Sequence, residues 1–310
     1  MRLVFAGTPQ TAVPSLDALL ASQHTVAAVL TRPDAPAGRG RRLATSPVAQ
    51  RAREAGLEVL QPARPADPAF RQRLAEIGPD CCPVTAYGAL IPESALRIPA
   101  RGWVNLHFSI LPAWRGAAPV QHAILHGDEI TGATTFELVR ELDAGPVFGV
   151  LTEVIKPADT AGDLLGRLAV AGAGLLVATL DGIESGELEA RDQPPDGISL
   201  APKIARDDAR VTWSQPATAI DRLIRACTPA PGAWTILDGI TLKLGPVTVA
   251  DGRDGLPGLS AGELLAHGQD VFAGTGTRPV RLGTVQQQGK RAMPAADWAR
   301  GLRAGPPVLS

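Results

Sequence analysis

A chain of 310 residues, 45% hydrophobic and 20% charged, can form one large or two ordinary domains around a normal core. A net charge of −1 gives no overall attraction to a polyanion, and neither a secretory leader nor a run of about eighteen apolar residues is present, so no membrane partner is expected. The three cysteines, Cys81, Cys82 and Cys227, form no C-x-x-C, and adjacent cysteines are poor disulfide partners, so a reducing cytoplasm without structural zinc is expected.

Arg2 to Gly7 reads as a buried strand, and Thr11 to Ser22 as a helix with Val13, Leu16, Leu19 and Leu20 on one face. Thr25 to Thr31 is a second strand, followed by a loop rich in Pro, Gly and Arg. Ser46 and Pro47 are an N-cap and first position for a helix to Ala55. Glu58 to Leu60 is a short strand, and Asp67 caps a helix to Ile77. Cys81 to Ala86 and Trp103 to Leu106 are strands, although Pro83 is awkward inside a central one. This alternation predicts an α/β fold, a mostly parallel sheet with helices on both faces. Ligands in such sheets bind beyond the carboxyl ends of strands, where Thr8-Pro9, Tyr87-Gly88 and Asn105 to Pro112 fall. Gly132 to Leu138 and Val147 to Ile155 form a strand pair around Asp143, before a long helix from Thr160 to Leu180. The expected division is a domain over 1–189, a linker over 190–205 and a second domain over 206–310. In the last, short strands such as Trp234–Leu237, Thr241–Leu244, Val271–Ala273 and Pro279–Leu282 suggest a small barrel.

Charge is unevenly spread. Arg32 to Arg53 holds six arginines against Asp34, and Arg278 to Arg303 holds six basic residues against Asp297. Asp128 to Asp196 holds fourteen acids and four bases. Such asymmetry lets a nearly neutral chain show a basic face to a nucleic acid, or merely an ordinary solvated surface.

The run Asn105-Leu106-His107-Phe108-Ser109-Ile110-Leu111-Pro112 puts an amide and an imidazole two residues apart. At a strand end these share a face. A second short loop, Glu141 to Gly145, brings the carboxylate of Asp143. Asn, His and Asp in one cleft can bind a carbonyl oxygen, stabilise it as an oxyanion and move a proton. That is equipment for acyl transfer without a protein nucleophile.

Together with Trp114-Arg115-Gly116-Ala117-Ala118-Pro119, this run resembles the folate-dependent formyltransferases, and among them the branch acting on methionyl-initiator tRNA. The resemblance includes Phe5 to Pro9, the arginine loop, Ala86-Tyr87-Gly88 and Gly289 to Met293, so it spans nearly the whole chain. It implies a Rossmann-like catalytic domain followed by an OB-like β-barrel. It implies Asn105, His107 and Asp143 as the catalytic set. Ser109, Ile110, Leu111 and Pro112 would line the folate site, and Tyr87, Gly88, Leu90 and Ile91 the pterin slot. Phe108, where a small residue is usual, could narrow that pocket, whereas Ile110 for Leu conserves volume. Arg39, Arg41 and Arg42 would contact the tRNA acceptor end, with Lys290 and Arg291 adding basic surface. The implied donor is 10-formyltetrahydrofolate, and the implied acceptor the amino group of methionine on initiator tRNA, served by a monomer. Relatives that use an amino-sugar nucleotide or water with the same donor are the alternative, as is a binding protein without turnover.

Other chemistries lack their signatures. Gly7-Thr8-Pro9 is not G-x-G-x-x-G, so no nicotinamide site is expected. His122 and His126 have metal spacing, but Ala123 stands where a zincin needs Glu, so no metal is expected. No G-x-S-x-G elbow exists.

Overall fold

In the computed structural model, which describes residues 1–37, 42–251, 256–302 and 307–310, β1 (Arg2–Gly7) and a 3-10 turn lead into α1 (Val13–Leu20). Next come β2 (Thr25–Leu30), a small hairpin of β3 (Ala35–Ala37) and β4 (Arg42–Ala44), α2 (Pro47–Glu54), β5 (Glu58–Leu60), α3 (Pro68–Ile77) and β6 (Cys82–Thr85). They are followed by α4 (Glu93–Leu96), β7 (Trp103–His107), the two-residue β8 (Arg115–Gly116) and α5 (Pro119–His126). Then come β9 (Ile130–Glu137), β10 (Val147–Val154) and α6 (Ala161–Ser185).

The helix starts show their local chemistry. Ser46 Oγ accepts the Ala49 amide at 3.0 Å ahead of Pro47. Thr160 and Asp163 cap each other before α6, with Asp163 N donating to Thr160 Oγ1 at 3.2 Å and Thr160 N to Asp163 Oδ2 at 3.0 Å. Asp67 does not cap α3. Its carboxylate turns back to accept the Arg64 amide at 3.2 Å.

The seven-stranded sheet has the order β10-β9-β7-β6-β1-β2-β5. The five strands from β7 to β5 are parallel, while β9 and β10 run antiparallel. The expected mostly parallel sheet is therefore what forms. The chain leaves β1 to one side for β2 and β5, then returns to the other side for β6 and β7. That reversal opens a crevice at the carboxyl ends of β1 and β6. There Thr8 Oγ1 donates to the Tyr87 carbonyl at 2.8 Å. Pro83 does lie in a central strand. Lacking an N–H, it falls in the gap of the β1–β6 ladder, between the Leu3–Cys81 bridge and the Ala6–Val84 pair.

Alternation along β1 separates two cores. Leu3 and Phe5 pack with Leu16, Leu19, Val48, Ala52, Leu176 and Leu180, while Val4 and Ala6 pack with Phe70, Leu74 and Ile77 of α3. Helices α1, α2 and α6 therefore cover one face and α3 the other. Among the described residues, α6 is long and apolar enough to cross a membrane by length and composition. Its Leu176 and Leu180 are wholly buried in the sheet's core, where each contributes about 1.5–3 kcal/mol.

Contacts divide the chain into two units. One holds Met1–Pro119, Ile130–Val154 and Leu165–Leu200, and the other Val120–Glu129, Ile155–Leu164 and Ala201–Ser310. The long segment of the second unit begins at Ala201. From there run the two-residue β11 (Leu200–Ala201), α7 (Ala217–Ala226), β12 (Trp234–Leu237), β13 (Ile240–Leu244) and β14 (Val247–Val249). β15 (Leu264–His267), β16 (Asp270–Ala273), β17 (Val280–Leu282), β18 (Thr284–Gln287), β19 (Met293–Pro294) and α8 (Ala295–Ala299) complete the described elements.

The expected second domain of short antiparallel strands is what forms. Among the described residues these strands make two antiparallel four-stranded sheets, β12-β13-β18-β19 and β14-β17-β16-β15, and no closed barrel. The chain changes sheets at Gly245-Pro246 and again at Gly283. A Cβ on Gly245 would lie 2.1 Å from Thr284 Oγ1, and one on Gly283 2.4 Å from the Pro246 carbonyl. The two strand pairs cross at this corner because neither glycine has a side chain and Pro246 offers no ladder donor. Leu242, Leu244, Val247, Val271, Val280 and Val285 fill the core between them, with Ile220 and Ile224 of α7.

All three thiols are free and buried. Burial raises Cys81 to about 12 and Cys227 to about 11, and lifts Cys82 well above its ordinary value. The native protein is therefore expected to resist iodoacetamide near neutral pH, with all three sites alkylated in denaturant, as read by intact mass. His24 is buried too, and burial together with the positive amino terminus lowers its pKa, Asp181 and Glu184 opposing. Its folded pKa lies below the unfolded value of 6.5, so this ring stabilises the fold above that pH and the contribution is lost on acidification. Melting curves between about pH 7 and about pH 5 should fall less steeply for His24→Gln than for the unmodified chain.

Candidate active site

Strand β7 carries the two groups that the motif singles out. Asn105 pairs with Val84 of β6 and Phe136 of β9 in the ladder, and His107 follows two positions on, on the same face. Asn105 is half-buried and His107 is 6% exposed. The edge of the imidazole meets the Phe136 ring, with centroids 6.3 Å apart and planes at 87°. His107 Nε2 lies 2.9 Å from the Trp114 carbonyl oxygen. A carbonyl only accepts, so Nε2 carries a hydrogen and Nδ1 is the nitrogen whose proton can come and go.

Asp143 sits in the β9–β10 connection, 8% exposed. Its Oδ2 accepts the Gly116 amide at 2.8 Å and lies 3.8 Å from His107 Nδ1. That is ion-pair distance for the protonated ring and too long for a direct hydrogen bond. The loop is tightly constrained: a Cβ on Gly145 would lie 1.8 Å from the Glu137 carbonyl. Backbone strain collects here. Among the described residues four non-glycine residues have positive φ, and three of them, Ala86 (49°), Trp114 (60°) and Asp143 (48°), belong to the loops beyond β6, β7 and β9.

The expected folate residues divide into two groups. Ser109 is fully buried and donates to the Ala113 carbonyl at 2.6 Å. Thr134 donates to the Ser109 carbonyl at 2.7 Å and accepts the Leu111 amide at 3.1 Å. Ser109, Leu111 and Pro112 are thus buried supports of their own loop, and Ile110 is half-buried. Phe108 is 7% exposed, so its bulk is taken up by the interior. Tyr87 is likewise buried, and burial raises its hydroxyl pKa. Gly88, at φ 83°, and Leu90, 80% exposed, are open to solvent, and Ile91 is half-buried. Ala89, Leu90 and Pro92 line a cleft of about 420 Å³ with Arg32, Arg64 and their neighbours. A larger cleft of about 660 Å³ lies along β10 and residues 186–194, with Leu111 on its wall. Asn105, His107 and Asp143 line neither cleft, so converging polar groups, not cavity size, mark the centre.

Arg39 and Arg41 lie outside the described residues. Arg42 opens β4. Lys290 and Arg291 are exposed between β18 and β19 in the second unit. The Trp114 carbonyl and the Gly116 amide were not singled out by side-chain chemistry, because both are backbone groups. The Trp-Arg-Gly stretch following the Asn-x-His run was the only signal for them. One metal-competent cluster occurs among the described residues, His24, Asp181 and Glu184, with ligand atoms within 4.8 Å of one another. The ring nitrogens of His24 lie near both carboxylates, Nε2 at 3.2 Å from Asp181 and Nδ1 at 3.4 Å from Glu184.

Comparison with known proteins agrees with this chemistry. Residues 1–180 match the family described as formyl transferase, and residues 203–303 its C-terminal domain. Methionyl-tRNA formyltransferase of Thermobifida fusca is 68% identical over 305 residues, 98% of this chain and 97% of that protein. The enzyme of the same name from a Nocardioides species is 66% identical over 303 residues, 98% and 96% of the two chains. Among solved structures, HypX from Aquifex aeolicus in complex with tetrahydrofolic acid superposes with a TM-score of 0.65 at 19% identity. That match covers 96% of this chain and 46% of HypX, and shows the fold. With both domain matches in chain order and full-length relatives at this identity, the chain belongs to the formyl transferase family.

Proposed function

We propose that this chain transfers the formyl group of 10-formyltetrahydrofolate to the amino group of methionine esterified to initiator tRNA. The observation that supports it most is the paired orientation of His107, Nε2–H on a backbone carbonyl and Nδ1 facing Asp143. The high identity to methionyl-tRNA formyltransferases over nearly the whole chain supports the acceptor. The donor, when bound, supplies an activated formyl carbon. The cleft beside Ala89, Leu90 and Pro92 fits an apolar ring, and Arg32 and Arg64 on its wall suit an anionic tail.

Esterification lowers the amine pKa below that of a free amino acid, which supplies a neutral nucleophile. The amine nitrogen bonds to the formyl carbon, and the carbonyl electron pair moves onto oxygen. The Asn105 amide and the protonated His107 ring donate to that oxyanion. The intermediate collapses as the C–N10 bond breaks. The attacking nitrogen loses a proton, and the leaving N10 gains one. His107 Nδ1, whose proton is exchangeable, and the Asp143 carboxylate beside it carry that transfer. Arg42, paired with Ala37 at the connecting end of the β3–β4 hairpin, grips the acceptor end together with Arg39 and Arg41, and Lys290 and Arg291 of the 206–310 segment add phosphate contacts. The protein works as a monomer in the cytoplasm, a reducing setting that suits three free thiols.

The test is formyl transfer from 10-formyltetrahydrofolate to methionyl-initiator tRNA, with an amino-sugar nucleotide and water as parallel acceptors. His107→Ala is expected to lower kcat by about 10²–10⁴-fold. Asn105→Ala should cost about 10²–10³-fold. Full activity in His107→Ala overturns the assignment. Donor consumption without formylated tRNA keeps the centre and replaces the acceptor. Arg42→Ala should raise KM for tRNA, leave KM for the folate unchanged, and reduce the salt slope of tRNA binding by about one.

A further inference from the structure

Gln193 lies in the stretch that the sequence marks only as linker, yet its side-chain amide is fully committed. Nε2 donates to the Asp143 carbonyl and the Gly145 carbonyl, each at 2.8 Å. Oε1 accepts from Arg115 Nε at 3.1 Å and Nη2 at 2.6 Å. Two hydrogens and both lone pairs are used, the full capacity of an amide.

The neighbouring backbone is engaged on the same loops. Arg191 and Val147 exchange backbone hydrogen bonds at 2.7 and 2.9 Å at the start of β10. Ser199 Oγ accepts the Trp114 amide and Ser199 O the Arg115 amide, both at 2.9 Å. Residues 191–199 therefore form a strap over two loops. One loop presents the Trp114 carbonyl to His107 Nε2, and the other presents the Asp143 carboxylate to Nδ1. Both Trp114 and Asp143 have left-handed backbones, which relax unless the surroundings hold them. Asp143 receives that support from Gln193 through its own carbonyl and through Gly145, while its carboxylate is held by Gly116.

We propose that Gln193 is a positioning residue that fixes the Asp143 carboxylate opposite His107 by tying the Asp143–Gly145 loop to Arg115. Only the amide satisfies both sides. Glutamate at this position would keep an acceptor for Arg115 but turn an oxygen towards two carbonyls. Methionine would keep the volume and lose every bond.

The inference rests on the catalytic reading of His107 and Asp143, and the experiment separates the two. Steady-state transfer to methionyl-initiator tRNA is measured for the unmodified chain, Gln193→Met, Gln193→Glu, Asp143→Asn and the double variant Gln193→Met/Asp143→Asn, with melting temperatures alongside. Gln193→Met is expected to lower kcat by about 10²-fold, the effect of misplacing a group by about 1 Å. KM for tRNA and for the folate should move less than about twofold, because binding contacts stay in place. In the Asp143→Asn background the same change should cost little, since its route to the chemistry is already removed. Gln193→Glu should be impaired like Gln193→Met.

An unchanged kcat in Gln193→Met overturns the proposal, whatever the melting temperature does. A loss that multiplies in full with Asp143→Asn also overturns it, because Gln193 would then act elsewhere. If Asp143→Asn keeps full kcat, the catalytic reading fails and the proposal falls with it. If Asp143→Asn is inactive and Gln193→Met is normal, only the proposal falls.

Discussion

A backbone carbonyl decides what His107 can do. By taking the Nε2 hydrogen, Trp114 leaves Nδ1 as the ring nitrogen that faces Asp143. A neutral ring held this way offers a lone pair, and a protonated ring offers a second donor. The same side chain can therefore act as base and as oxyanion stabiliser without changing its rotamer. The carbonyl reaches that point only because Trp114 is held left-handed beyond the end of β7. Sheet, loop and imidazole are one mechanical unit.

Rigidity and strain are divided between strands and loops. β7 lies between β6 and β9 with Trp103 and Leu106 buried, so Asn105 and His107 stand on a fixed base. The connections beyond it take the cost of unusual backbone, of order 1–3 kcal/mol at each strained residue. Thr134, which bonds both the Ser109 carbonyl and the Leu111 amide, extends the stiffness of β9 into the loop after β7. Of the three proposed groups, Asn105 and His107 thus stand on the strand and Asp143 on a loop with little freedom left.

Much of this was legible in the residues. The alternation from β1 to β7 follows from apolar periodicity, and the Ser46 and Thr160 starts follow from capping chemistry. His107 and Asp143 were recognisable as side chains with a chemistry of their own. Other features were hidden for physical reasons. Asp67 is a good cap by type, yet its carboxylate found a nearer amide. Which way the Ser109–Pro112 side chains face was hidden too: Ser109 Oγ is spent on the Ala113 carbonyl, and Leu111 is buried. How the short strands of the second unit pair was hidden as well, because the pairing joins strands far apart in sequence, as β13 with β18. Gln193 was invisible because nothing in a polar linker announces which backbone carbonyls it will find.

The corner of the second unit has a consequence for how this chain can diverge. At Gly283 even a methyl group collides with the Pro246 carbonyl, and at Gly245 it would have to displace the Thr284 hydroxyl, so sequence drift at this corner is narrow. At Gly289, in the turn carrying Lys290 and Arg291, an added Cβ would meet nothing within 4 Å, yet the backbone there has φ 79°, so a side chain is strained at that position too. Variation is thereby confined to the exposed side chains beside these glycines, so that the charge carried at Lys290 and Arg291 can change while the backbone beneath it stays the same.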